Sequence, residues 1–137
     1  MERRDHMLLQ IEQLGMVLRR LLAELTGAPN DGTMIERTDR VDLQLLAAIG
    51  LGDRTLDNVT SEELTTKLQM LSGASVENLD ILADVLLARS AVCEAEQGAH
   101  SVKLKDFALA VLEHANTLDT NYSMERQQKL VALRSAR

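Results

Sequence analysis

Apolar residues at the start of the chain fall at positions 7, 11, 14, 18, 21 and 25, in alternating steps of four and three, with Leu8 and Leu22 flanking the stripe. That spacing keeps one face of an α-helix apolar and predicts a first helix from about His6 to Leu25. Asp5 stands where an N-cap belongs and Gly27 where a helix stop belongs. The segment Gly27-Ala28-Pro29-Asn30-Asp31-Gly32 holds the single Pro and is the densest run of turn residues, so it marks the first boundary.

Beyond it, Thr33-Met34-Ile35-Glu36 fits a capping box, and Met34, Val41, Leu45 and Ile49 recur at helical spacing until Gly50. A loop rich in Gly, Asp and Asn runs from Gly50 to Asn58. Thr60-Ser61-Glu62-Glu63 then gives a second capping box, ahead of a short stripe of Leu64, Leu68 and Leu71 that Ser72-Gly73 ends. Ser75 opens the longest pattern, with Leu79, Leu82, Leu86, Ser90 and Cys93 on one face and Val76, Ala83, Leu87 and Ala91 beside it, stopped at Gly98. So wide a stripe predicts burial against more than one neighbour. A fifth helix carries Leu104, Ala108, Val111, Leu112, Ala115 and Leu118. Asp119-Thr120-Asn121 breaks it, and Ser123 caps a last helix through Leu130 and Leu133.

No alternating strand of useful length occurs. The expected fold is therefore all-α, a compact bundle of five or six helices. It reads as one domain over 1–137: a long N-terminal helix at 6–25, two shorter helices within 33–72, and a helical hairpin plus terminal helix within 75–137.

Composition narrows the chemistry. Of 137 residues 45% are apolar but only 1% aromatic, so Leu, Ala and Met are expected to fill the core, and the rings that stack bases or line sugar sites are missing. The net charge of −6 disfavours non-specific contact with nucleic acid or an anionic membrane. One Cys cannot form an internal disulfide, and a reducing, cytoplasmic location is expected. Gln10, Glu12 and Gln13 interrupt the first apolar stretch, so no secretory or membrane-spanning segment is read there.

In the fourth and fifth helices, Ala91 lies before Gly98, and Ala108, Leu112 and Ala115 follow at spacings of four and three. This pattern resembles a degenerate tetratricopeptide-type hairpin, in which small side chains let two antiparallel helices approach closely. The connection through Ala99-His100-Ser101-Val102-Lys103 is longer than in that repeat, and Leu fills most of its aromatic positions. Three further segments are similar to a family of short, uncharacterised bacterial helical proteins: Arg4-Asp5-His6 with Ile11-Glu12-Gln13-Leu14-Gly15, the stretch from Leu45-Leu46 to Glu63-Leu64, and Leu118-Asp119 to Ser123-Met124-Glu125-Arg126. The resemblance implies an all-helical fold and carries over no catalytic or ligand residues to positions of this chain.

Several residues suggest chemistry and are better explained by structure. Cys93 with His100 or His114 would make a thiol nucleophile and its base, but Cys93 lies on the apolar stripe of its helix, where a thiol behaves as a small hydrophobe. Helical di-metal sites need Glu-x-x-His, whereas Arg3, Gln97 and Val111 stand three before His6, His100 and His114. Glu96 and His100 are separated by Gly98, so no metal or cofactor is expected. Thr66 to Leu82 imitates a helix-turn-helix, yet its second helix presents Glu77, Asp80 and Asp84, with Arg89 well downstream, and phosphates would be repelled. Gly50-Leu51-Gly52 lacks the strand and the further glycine of a phosphate loop. Glu62 and Glu63 suit a first helical turn rather than acid–base work, and His114 suits local hydrogen bonding.

The first helix carries more apolar circumference than one core needs. Leu9, Met16 and Val17 fall away from the main stripe and leave Asp5, Glu12, Gln13, Arg19 and Arg20 as a narrow polar strip. Gly15 sits mid-helix, where it costs up to ~1 kcal/mol relative to Ala unless something approaches its backbone. Leu9, Gly15, Met16 and Val17 are therefore the candidate interface, either for a second copy in a homo-oligomer or for another protein. If the fold simply surrounds the helix, these four are core instead. The chain reads as a non-catalytic interaction or scaffolding module. The alternative is a bundle that binds a small molecule in a Met- and Leu-lined cavity with His114 or Tyr122 as polar groups.

Charge makes one further expectation. Val76 to Gln97 holds Glu77, Asp80, Asp84, Glu94 and Glu96 against Arg89, net −4, and Ser123 to Arg137 holds Arg126, Lys129, Arg134 and Arg137 against Glu125, net +3. The terminal helix should pack near the fourth, held by Leu130 and Leu133 and oriented by charge.

Overall fold

Strong helix formers separated by capping residues give six helices in the computed structural model, which describes residues 2–27, 34–95 and 100–135. They are α1 (Glu2–Gly27), α2 (Met34–Ala48), α3 (Ser61–Met70), α4 (Val76–Ala95), α5 (Ser101–Leu118) and α6 (Met124–Ser135), with a 3₁₀ turn at Leu56–Asn58. No strand occurs among the described residues. The all-α expectation holds, and α1 is longer than 6–25 because nothing in Glu2 to Asp5 breaks a helix. The Thr33 capping box, the turn at 28–32 and the Gly98 stop lie outside the described residues.

Side chains set the boundaries as their types predict. Thr60 Oγ1 accepts from the Glu63 backbone N–H at 3.1 Å and donates to Glu63 Oε1 at 3.3 Å, closing the start of α3. Ser75 Oγ accepts from the Asn78 N–H and Ser123 Oγ from the Arg126 N–H, each at 3.2 Å, starting α4 and α6. At the end of α2 the Leu51 N–H reaches the Leu46 carbonyl at 2.7 Å and the Gly50 N–H the Ala47 carbonyl at 3.2 Å. This Schellman pairing places Gly50 at φ +85°, which a side chain would resist.

The hub is α4. Leu79, Leu82, Val85, Leu86 and Cys93 are buried along it, and it packs against α1 on one side and α5 on the other. That is what its wide stripe predicts. α2 packs on α1, and α3 and α6 pack on α5. In the α5 seam Ala108 and Ala115 are fully buried, whereas Ala91 of α4 is exposed and Leu118, at the end of α5, is 49% exposed.

Among the described residues no methionine enters the core. The largest fully buried side chains are all Leu and Val, while Met7, Met16, Met70 and Met124 are 46%, 70%, 76% and 65% exposed. The tight helix seams take short branched side chains with few rotamers, which leaves the flexible thioethers outside.

The terminal helix returns to α4 as its charge predicts. Leu130 and Leu133 are buried, and Lys129 Nζ donates to Asp84 Oδ1 at 2.7 Å. Arg126 goes further than a surface pair. Buried at 3% exposure, it donates Nε and Nη2 to the two Asp80 oxygens at 2.8 Å each, Nη2 also to Asp119 at 3.1 Å, and Nη1 to Asn116 at 3.1 Å. Its position one turn before Leu130 puts it on the docking face. The bonds to Asp80, opposed by burial and supported by Asp119, raise its pKa further.

Candidate functional site

The four residues of the candidate interface separate in the structure. Leu9 is 49% and Met16 70% exposed, Val17 is half-buried and Gly15 is buried. Gly15 is withdrawn from any external surface by this chain's own α4. A Cβ on it would stand 2.9 Å from Asn78 Oδ1 and 3.0 Å from Arg19 Nη1, so its lack of a side chain serves the α1–α4 crossing. Asn78 is held there by donating Nδ2 to the Ile11 carbonyl at 2.9 Å and the Gly73 carbonyl at 2.8 Å. Gly73 is equally tight, with a Cβ placed 2.9 Å from the Gln10 carbonyl oxygen.

Asp5, His6, Met7, Leu8 and Leu9 are all exposed, although five consecutive residues point to every side of a helix. From Asp5 to Leu9 the helix is thus uncovered all round, and Met7, which continues the core stripe, is 46% exposed. Beside them runs a groove of about 460 Å³ lined by Gln10, Gln13, Leu14, Val17, Met70 and Leu71. Val17 belongs to its wall. Leu9 and Met16 do not line it; at steps of four before and three after Gln13 they lie on the adjoining face of α1. An apolar floor beneath an amide rim can take apolar side chains of a partner and hydrogen-bond its edge. The polar strip differs in its commitments: Arg19 pairs with Glu77 at 2.8 Å, whereas no hydrogen bond or ion pair among the described residues engages Asp5, Glu12 or Arg20.

A second groove of about 420 Å³ lies over α2 and the loop after it, lined by Asp42, Leu43, Arg54, Asp57, Arg89 and His100 among others. Apart from Asp39, its charged groups meet partners within the chain. Arg89 donates Nε and Nη2 to the two Asp42 oxygens at 2.8 and 3.1 Å, Arg54 meets Glu63 at 2.9 Å, and His100 Nδ1 lies 3.3 Å from Asp57. Burial pushes the Asp42 carboxyl above its ordinary value, with Arg89 acting against the shift. The Asp42–Arg89 pair ties α2 to α4, and no local signal in the sequence marks Arg89 as buried.

The other candidates are placed as follows. Cys93 is 3% exposed in α4. His114 is half-buried on α5, where its backbone carbonyl accepts from Thr117 Oγ1 at 2.6 Å. Tyr122 is 76% exposed, and neither it nor His114 lines the two grooves. Asp80 and Asp84, on the helix that would read DNA, face α6. Glu96 lies outside the described residues. Among the described residues no three His, Cys, Asp or Glu side chains group as metal ligands, and no helix is long and apolar enough to cross a membrane. Comparison with known families, with curated proteins and with solved structures finds no match to this chain.

Proposed function

We propose that the chain is a non-catalytic, cytoplasmic interaction module that self-associates through the outer face of α1 and uses its tetratricopeptide-like α4–α5 pair as a rigid platform. The observation that carries this reading is the placement of the methionines. The four methionines whose side chains are described lie outside the mainly Leu and Val core, and three of them lie on or beside one region: Met7 and Met16 on α1 and Met70 on the groove wall. Exposed Met side chains adapt to an opposing surface at low conformational strain, and clustered exposed apolar groups mark association sites.

Light scattering at tens of micromolar tests it. The expected mass is about twice 15.2 kDa, and Met16→Lys or Leu9→Glu returns the protein to monomer because either places a charge in the apolar contact. A monomeric wild-type protein at that concentration overturns the reading.

A further inference from the structure

The exposed face of α1 is complementary to itself in one antiparallel register. Asp5, Leu9, Glu12, Met16 and Arg20 follow steps of four, three, four and four, so they form a single stripe along the helix. All five are exposed, and its three charged members make no hydrogen bond or ion pair among the described residues. The acids occupy the N-terminal half and the base the C-terminal end, with Leu9 between Asp5 and Glu12 and Met16 between Glu12 and Arg20.

We infer that a second copy of this chain lays its α1 antiparallel on this stripe, with a two-fold axis passing between Glu12 and Gln13. This rests on the self-association proposed above and specifies its geometry. About that axis Asp5 faces Arg20 of the second copy, Leu9 faces its Met16, and Glu12 faces its Gln13, and every contact occurs twice. An apolar Leu9–Met16 pair lies between the axis and each end, and an ion pair closes each end about 22 Å from the other, from a rise of 1.5 Å per residue. At the axis the Gln13 amide donates to the Glu12 carboxylate of the second copy and separates the two like charges. A parallel pairing would place Asp5 beside Asp5 and Arg20 beside Arg20, so charge selects the antiparallel form. One helix pair is a small interface, which is why association is expected in the micromolar range and to weaken with salt.

The test is a pair of charge reversals and their mixture. Asp5→Arg alone and Arg20→Asp alone each replace two attractive end pairs with two repulsive ones, and each is expected to weaken dimerisation about tenfold or more. Mixed one to one, the two variants restore both attractive pairs in the heterodimer. Native mass spectrometry of a mass-tagged mixture should then show the mixed dimer in excess over either homodimer, at near wild-type affinity. That recovery also separates the seam from any fraying that Asp5→Arg causes at the helix start. Wild-type protein that dimerises, with variants whose mixture recovers nothing, overturns this register and leaves self-association standing. A monomeric wild type removes both.

Discussion

Gly15 of α1 and Asn78 of α4 meet with no space for a further carbon, since a Cβ at Gly15 would lie 2.9 Å from Asn78 Oδ1. Asn78 cannot simply swing aside, because its amide nitrogen is committed to the Ile11 and Gly73 carbonyls in a buried site. Losing one such bond costs about 1–3 kcal/mol, more than the ~1 kcal/mol that Ala gains over Gly in a helix interior. Gly15→Ala is therefore expected to destabilise the fold by about 1–2 kcal/mol in urea denaturation. Gly27→Ala serves as the control: nothing lies within 4 Å of that site, and stability should stay level or rise slightly. Equal effects at both glycines would show that the crossing is not as tight as described.

Two cations on α6 should behave differently although both face acids of α4. Lys129 is a quarter exposed, and while burial opposes its charge, the bonds to Asp84 and Glu125 outweigh that and raise its pKa. Lys129→Gln should cost no more than about 1 kcal/mol, and less at high salt. Arg126 is buried and holds Asp80 and Asp119 together. Arg126→Met leaves two carboxylates facing one another without a cation, and a loss of about 2–4 kcal/mol is expected, with little salt dependence. Thermal melts of the two variants at low and high salt decide the matter, and similar losses would contradict the distinction.

Most of the fold was legible because helical periodicity and capping residues are local signals. Thr60, Ser75 and Ser123 each cap the helix they precede. What escaped was the buried polar set. Asn78 and Arg89 stand at steps of four and seven from Leu82, and Arg126 stands four before Leu130, so all three lie on core faces. A polar residue on an apolar stripe looks like its edge until the opposing carboxylate or carbonyl is known, and those partners come from other helices. The candidate surface divides in the same way. Exposure of Met16 follows from its angle on α1, and that of Leu9 also from the bare start of the helix, whereas Gly15 needed Asn78, far along the chain, to explain it. Methionine was misplaced because composition ranks residues by hydrophobicity and not by how well a flexible side chain fits a tight seam.

Cys93 has the environment of a packing residue, at 3% exposure on the core face of α4. Cys93→Ala should cost on the order of 1 kcal/mol, the scale of a small group removed from a packed site. In the native protein, labelling by iodoacetamide should be slow and should accelerate with urea in step with unfolding. Rapid labelling without denaturant would mean that the thiol is reached from the folded state and would revive a reactive role.

Stability should respond to acid in two opposed stages, set by Asp42 and Asp119. Burial holds the Asp42 carboxyl above its ordinary 3.8, against the pull of Arg89. The folded state then binds this proton more tightly than the unfolded chain, so Asp42 adds stability as pH falls through its folded pKa towards 3.8, and no more below that. Asp119 acts in the other sense. The hydrogen bond from the Asn121 N–H at 3.0 Å, with further help from Arg126 against a smaller burial effect, keeps its pKa below 3.8. Its stabilisation is complete above 3.8 and is lost as pH falls through the lower, folded value. Urea midpoints taken from about pH 7 down to about pH 2 should therefore fall more steeply below 3.8 than above it. Asp119→Asn should flatten the lower limb alone, and Asp42→Asn should remove the opposing contribution above it. An acid limb unchanged by Asp119→Asn would place the acid-sensitive contact elsewhere than at the anchor of α6.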